Sequence, residues 1–205
     1  MTAKFITLEG IEGAGKSTAI ATISKYLSAK NIEHILTREP GGTAIGEKIR
    51  EVLLDSKNTG LCSDTELLLM FAARAQHIFE VINPALTHSK WVISDRFTDA
   101  TYAYQGGGRE NSFERIKILE NMVQADLRPD LVLVLDIDPE AGMQRVDTRG
   151  QRDRFETEKL AFFEAVRKVY LQRAESNPGR YAVIDASQSI ADVDQRIQAA
   201  IAKIL

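Results

Sequence analysis

Apolar residues in this chain fall into short runs separated by longer amphipathic stretches. Five runs have the length and composition of strands: Phe5 to Leu8, His34 to Thr37, Trp91 to Ser94, Leu131 to Asp136 and Tyr181 to Ile184. Leu131-Val132-Leu133-Val134-Leu135 shows no polar alternation, the mark of a strand covered on both faces. Between the runs, apolar residues recur at helical spacing, as at Ile20, Ile23 and Leu27, or Val193, Ile197 and Ile201. Ser63-x-x-Glu66 reads as a capping box, Asp138-Pro139 as an N-cap followed by a first-turn proline, and Ser189 as the start of the last helix. Strands alternating with helices predict an α/β fold: a parallel sheet with helices packed on it. Pro40-Gly41-Gly42 and Gly106-Gly107-Gly108 read as glycine-rich loops.

Composition narrows the picture. A chain of 205 residues without repeat, linker or low-complexity tract is expected to form one domain, 1–205. Twenty-six basic against 29 acidic residues give a net charge of −3, so there is no cationic excess to hold a nucleic acid or an anionic membrane surface. Any anion must therefore be held by a local cluster. The single cysteine, Cys62, excludes an intrachain disulfide and suits a reducing compartment. No apolar run approaches the ~20 residues of a membrane span, and the opening Met1-Thr2-Ala3-Lys4 has no signal-peptide character. A cytoplasmic protein is expected.

One cluster is explicit. Gly10-Ile11-Glu12-Gly13-Ala14-Gly15-Lys16-Ser17, followed by Thr18, matches G-x-x-x-x-G-K-[ST] between the first strand and the first helix. Glycines let consecutive N–H groups converge on phosphate oxygens, and the helix N-terminus adds partial positive charge. Lys16 is expected at the β and γ phosphates and Ser17 at Mg²⁺. Switches, motors and kinases share this loop. The Asn-Lys-x-Asp segment of a guanine-specific GTPase is absent from the sequence.

Further charged segments follow strand ends: Thr37-Arg38-Glu39-Pro40-Gly41-Gly42-Thr43 and Asp95-Arg96-Phe97. Ligands of open α/β sheets bind at the carboxyl ends of the strands, so both point toward the phosphate loop. Phe71 and Arg74 lie three apart on the helix after Ser63, neighbours able to stack a planar base and donate to its oxygen. Such a pair, taken alone, is more often ordinary packing. In order along the chain, these segments and Ala103-Tyr104-Gln105-Gly106-Gly107-Gly108 resemble the bacterial thymidylate kinase family over essentially the whole length.

The resemblance implies a P-loop NTPase fold of the nucleoside-monophosphate-kinase type, a three-layer sandwich around a five-stranded parallel sheet. It implies transfer of a phosphoryl group from ATP to dTMP with Mg²⁺, in a homodimer to which the helix from Leu67 to Ile82 could contribute. By resemblance, Phe71 stacks thymine, at ~1–3 kcal/mol. Arg74 donates to thymine O4, Gln105 meets the N3 edge beside Thr101, Pro40 flanks the methyl, and Tyr104 lies under the sugar. Arg96, with Arg50 and Arg38, is expected at the acceptor phosphate, Asp95 in the Mg²⁺ shell, and Glu12 on the 3′-hydroxyl.

Arg145 to Glu156 places four arginines within ten residues, Arg145, Arg149, Arg152 and Arg154. A run like this is usually a solvated face; the resemblance makes 145–157 a lid over ATP. With no arginine in the phosphate loop, the chain resembles the subtype whose lid supplies the catalytic arginine, Arg154 and Arg149 first and Arg152 next. Asp185 to Gln188 is expected beside the adenine. The counter-charges have a physical reason, since unit charges 4 Å apart repel by ~1 kcal/mol in water and ~4 at an effective dielectric near 20. The attacking phosphate oxygen is already anionic, so no general base is required, and His34, His77, His88 and Cys62 read as structural or surface residues. Two alternatives remain open: another nucleoside or nucleoside-monophosphate kinase, and a nucleotide-binding switch.

Overall fold

The structure, a computed structural model, describes residues 2–147 and 153–205. Five strands form one parallel sheet in the order β2-β3-β1-β4-β5. They are β1 (Phe5–Glu9), β2 (His34–Arg38), β3 (Trp91–Asp95), β4 (Leu131–Asp136) and β5 (Tyr181–Asp185). Four of them run one residue beyond the sequence expectation, and those four extra residues are all charged: Glu9, Arg38, Asp95 and Asp185. Hydrophobicity marks where a parallel strand is covered; pairing continues into the cleft, where charge is wanted.

The helices are α1 (Lys16–Ala29), α2 (Ala44–Leu54), α3 (Ser63–His77), α4 (Asn83–Thr87), α5 (Thr98–Thr101), α6 (Phe113–Gln124), α7 (Pro139–Asp147), α8 (Leu160–Ser176) and α9 (Ile190–Ala202). Right-handed crossovers dictate the layers. The step from β1 outward to β2 puts α1 on one face, and α9 packs beside it. The return to β3 and the steps through β4 to β5 run the other way, which puts α4 and α8 on the opposite face. Ile6 and Leu8 of β1 join Ile23 and Leu27 in the larger core cluster, while Phe5 joins Ile78, Ile82, Val92 and Phe97 in a smaller one. Each fully buried Ile, Leu or Phe contributes about 1.5–3 kcal/mol. Among the described residues no helix is long and apolar enough to cross a membrane.

Local signals held unevenly. Asp138 caps α7, its Oδ1 accepting from the N–H groups of Glu140 and Ala141 at 3.0 and 3.3 Å. Ser189 caps α9, accepting from the Asp192 N–H. The capping box does not form: Cys62 occupies the N-cap position of α3, Ser63 is the first helical residue, and Glu66 turns into the interior. Its carboxylate meets Gln105, Arg109 and Arg154 there, and buried partners outweigh a cap.

Gly106-Gly107-Gly108 is not a loop either. A π-helical turn covers Tyr102–Gly108, with the Arg109 N–H donating five residues back to the Tyr104 carbonyl at 2.9 Å. Gly107 and Gly108 serve close approach to α8, and Gly106 to α6: a Cβ on Gly107 would meet Val169 Cγ2 at 2.7 Å and the Ala165 carbonyl oxygen at 3.0 Å. Gly107→Ala should therefore lower stability by about 1–3 kcal/mol through overpacking, read as a shifted urea midpoint with an unchanged slope.

Candidate functional site

The cleft begins at the glycine loop after β1. Gly13, at φ 75°, lies so close to α7 that a Cβ there would meet the backbone of Gly142. The first turn of α1 carries no acidic residue, so its N-terminal N–H groups are left to an anion. Lys16 lies back along the loop, Nζ donating to the carbonyls of Gly10 and Ile11 at 3.1 and 3.0 Å. Burial first, and the Arg96 guanidinium second, push its amine down to about 8. Gly13, Gly15, Lys16, Ser17 and Thr18 face a cleft of about 280 Å³, whereas Ile11 and Ala14 are buried in the core behind it.

Glu12 is an odd residue in an anion-binding loop, and its partners account for it. Arg96 Nη2 donates to Glu12 Oε1 at 2.8 Å, and the Tyr104 hydroxyl donates to Oε2 at 2.6 Å. Arg96 sits at φ 69°, a left-handed conformation that a non-glycine residue keeps only when its surroundings hold it. They do. Its N–H donates to the Leu8 carbonyl, its carbonyl accepts from the Ser94 hydroxyl, and the next N–H, of Phe97, donates to Glu9 Oε1 at 2.8 Å. Arg96 Nη1 reaches the Gly10 carbonyl at 3.1 Å and the Tyr170 hydroxyl at 3.2 Å, and the guanidinium lies 4.7 Å from the centroid of the Tyr104 ring. Glu9 is buried; burial first and the Asp99 carboxylate second push its carboxyl well up, so this anion is muted.

On the other side, α3 delivers Arg74, which is 2% exposed. Nε donates to Glu39 Oε2 at 2.7 Å, and Nη2 donates to the Phe97 carbonyl and the Thr101 hydroxyl at 3.0 and 2.9 Å. Nη1 is buried and has no partner among the described residues. Gln105 Nε2 donates to Glu66 Oε1 at 2.8 Å, which turns the amide oxygen the other way. Thr101, Tyr104 and Gln105 all line the cleft. Pro40 lines it too, as does Arg50, whose Nη1 donates to the Pro40 carbonyl at 2.8 Å.

Three expected residues lie elsewhere. Phe71 is buried in the core, its ring centroid 4.8 Å from the Arg74 guanidinium, and Met70 takes its place on the cleft wall. The spacing that shares the cleft with Arg74 is four, not three; both are helical neighbours, and sequence alone favoured the aromatic. Arg38 points to solvent, paired with Glu47 at 2.8 Å across the turn into α2. Arg154 is buried away from the cleft, Nε donating to the Leu53 carbonyl at 2.8 Å and Nη2 lying 2.7 Å from Glu66. A buried carboxylate captures it before any phosphate can. Arg149 and Arg152 lie outside the described residues.

Sequence reasoning missed Glu39, Leu54, Met70, Phe97, Asp153, Phe155 and Glu156, all on the cleft wall. Asp153 and Glu156 had a signal in the Asp-x-x-Glu spacing: Asp153 Oδ1 accepts from the Phe155 and Glu156 N–H groups, and Glu156 accepts from the Asp153 N–H. The loop after β5 lies beside the phosphate loop. Arg145 of α7 donates to the carbonyls of Gly13 and Ala186, each at 3.3 Å. Asp95 lines the cleft with Ser17, and its Oδ1 is buried without a partner among the described residues. Among the described residues no group of three or more His, Cys, Asp or Glu could enclose a metal ion.

Comparison with known proteins bears on this geometry. The family model described as thymidylate kinase matches residues 8–197. The thymidylate kinase of Pseudomonas syringae pv. tomato is 58% identical over 205 residues, which are 100% of this chain and 96% of that protein. That of Pseudomonas putida is 56% identical, covering 100% of this chain and 98% of its own. The crystal structure of thymidylate kinase from Ehrlichia chaffeensis superposes with a TM-score of 0.78 at 34% identity, over 98% of this chain and 99% of that one.

Two outcomes are expected of the site. Because the Lys16 amine lies at about 8 and a bound polyphosphate raises it toward its ordinary 10.5, nucleoside triphosphate binding should take up a proton above pH 8. Calorimetry in buffers of differing ionisation enthalpy should show that uptake, with Kd rising up to about tenfold per pH unit there. Phe71→Ala should cost about 3–5 kcal/mol of stability as a core cavity, whereas Met70→Ala, at a partly buried wall position, should cost less and weaken the ligand beside Arg74.

Proposed function

The chain belongs to the thymidylate kinase family, and we propose that it transfers the γ-phosphoryl group of ATP to dTMP, giving dTDP and ADP. It is an ATP-dependent phosphotransferase in that family. The observation that carries the dTMP reading is Arg74 on the cleft wall, whose buried Nη1 has no partner among the described residues. A carbonyl oxygen satisfies that donor. The amino group of cytosine would face it donor to donor in a desolvated pocket, which costs far more than a missing contact.

In this reading the phosphate loop and Lys16 hold the donor, and Arg96 and Arg50 face the acceptor phosphate. Tyr104 and the Glu12 carboxylate border the sugar, with Glu12 accepting from its 3′-hydroxyl. Thr101, Gln105, Met70 and Pro40 enclose the base. Arg96 joins the two halves, since one guanidinium touches the glycine loop and lies beside Tyr104. It can spread charge over the transferred group without moving far. No proton must leave the acceptor oxygen, which fits a cleft whose described lining holds no histidine.

Ser17 and Asp95 suit Mg²⁺: both offer oxygen, and the buried Asp95 Oδ1 has no partner among the described residues. Such an ion takes one or two protein ligands and completes its shell with phosphates and water, supplying charge neutralisation at the phosphates. Arg149 and Arg152 remain proposed for the donor side of the lid, whereas Arg154 is assigned to anchoring the segment on Glu66. A cytoplasmic homodimer is part of the proposal. Leu68, Phe79, Ile118 and Met122 are 57, 76, 66 and 72% exposed, on α3, the π-helical turn Ile78–Ile82 that continues it, and the adjoining α6. That much apolar surface suits a self-complementary interface.

A coupled ADP-release assay across dTMP, dUMP, dCMP, dGMP and thymidine tests the function. Highest kcat/KM with dTMP, with dUMP behind by about 10–100-fold for the lost methyl, supports it; best activity with thymidine refutes it. Phe79→Glu combined with Met122→Glu should convert a dimer to a monomer in sedimentation velocity, and an unchanged sedimentation coefficient would remove this face from the interface.

A further inference from the structure

Arg74 has five N–H donors in a rigid fork, and what consumes them decides which one a ligand meets. Nε goes to Glu39 and Nη2 to the Phe97 carbonyl and Thr101, which leaves Nη1. The rings of Phe71 and Phe97 lie 4.8 and 5.1 Å from the guanidinium and limit its tilt. Its rotation in plane is set by the Glu39 carboxylate, and Glu39 does not stand alone. His77, fully buried one turn beyond Arg74, places Nδ1 2.9 Å from Glu39 Oε1. Its Nε2 lies 2.6 Å from the Thr37 hydroxyl. A carboxylate accepts, so Nδ1 carries a proton, and in the neutral imidazole Nε2 accepts from Thr37. Gly42 closes over the imidazole, where a Cβ would meet its Cδ2 at 2.7 Å. Nothing in phosphoryl transfer uses this histidine, yet the fold encloses it completely.

We infer that Thr37, His77 and Glu39 form a positioning relay that fixes Arg74 in the orientation presenting Nη1 to the base, so that this relay sets the preference for a 4-oxo over a 4-amino pyrimidine. The inference rests on the dTMP reading above. The Thr37 hydroxyl fixes the imidazole tautomer, the imidazole fixes one carboxylate oxygen, and the other oxygen fixes Nε. Losing His77 frees the carboxylate to rotate and swing the guanidinium with it. The bound base then meets a displaced donor, while the phosphate loop, Lys16 and Arg96 are untouched. His77 and Thr37 are positioning residues; neither lines the cleft.

The test is steady-state kinetics with dTMP and with dCMP, at saturating ATP, on wild type, His77→Phe, His77→Asn and Thr37→Val. His77→Phe should raise KM for dTMP about tenfold, leave kcat and the KM for ATP within about twofold, and lower the dTMP:dCMP ratio of kcat/KM about tenfold, the scale of one buried hydrogen bond. His77→Asn keeps a donor where Nδ1 was and should recover most of the ratio; a purely space-filling role would favour Phe over Asn. Thr37→Val should shift the ratio severalfold in the same direction, and it decides the matter if His77→Phe does not fold. A Phe variant that melts like wild type and keeps the wild-type ratio overturns the relay, as does an unchanged ratio in Thr37→Val. Wild type releasing no ADP with dTMP would instead refute the functional reading and take the relay with it.

Discussion

One ion pair organises the molecule: Arg96 to Glu12, 2.8 Å, across the glycine loop. A carboxylate inside an anion-binding loop repels its own ligand unless a cation holds it, and a cation alone beside Lys16 would depress the lysine further. Together they are tolerable. The pair ties the loop after β1 to the end of β3, and through the Tyr170 and Tyr104 hydroxyls it reaches α8 and the π-helical turn. Four elements therefore share a fixed origin, and the two ends of the cleft are measured from it. The strained backbone of Arg96 follows from this arrangement: relaxing its φ would pull the guanidinium off the loop.

Much of this was legible because it is local. The five strands begin at the predicted residues, and the phosphate loop lies between strand and helix, since its chemistry is written in consecutive residues. Tyr104, Gln105, Arg74 and Asp95 reached the cleft through the order of their segments. What sequence could not supply was the partner of each arginine. Arg38, Arg74, Arg96 and Arg154 look alike in a sequence; Glu47, Glu39, Glu12 and Glu66 separate them. Arg154 and Glu66 are far apart along the chain, so only tertiary packing decides that Arg154 anchors a segment. Phe71 failed for a subtler reason: both it and Met70 are helical neighbours of Arg74, and the larger ring belonged to the core. The Ser63 cap lost to burial of Glu66, a local rule overridden by a long-range network.

Residues that touch ligand are prominent in sequence because their types are chemical statements. The groups that aim them, Glu39, His77 and Glu66, are spread over α3 and the turn after β2 and acquire meaning only when those elements pack. A net negative chain can hold polyanions because its cations are placed by buried carboxylates, not because it has many.

The widened turn at Tyr102–Gly108 has a consequence for how such a protein can diversify. Its looser winding lets Tyr104 and Gln105, adjacent in the chain, both line the cleft. Deleting a single residue there would restore ordinary winding and swing both side chains off target at once. The two cleft residues are thus mechanically yoked, so lineages altering one must do so by point replacement, with insertions and deletions closed to them.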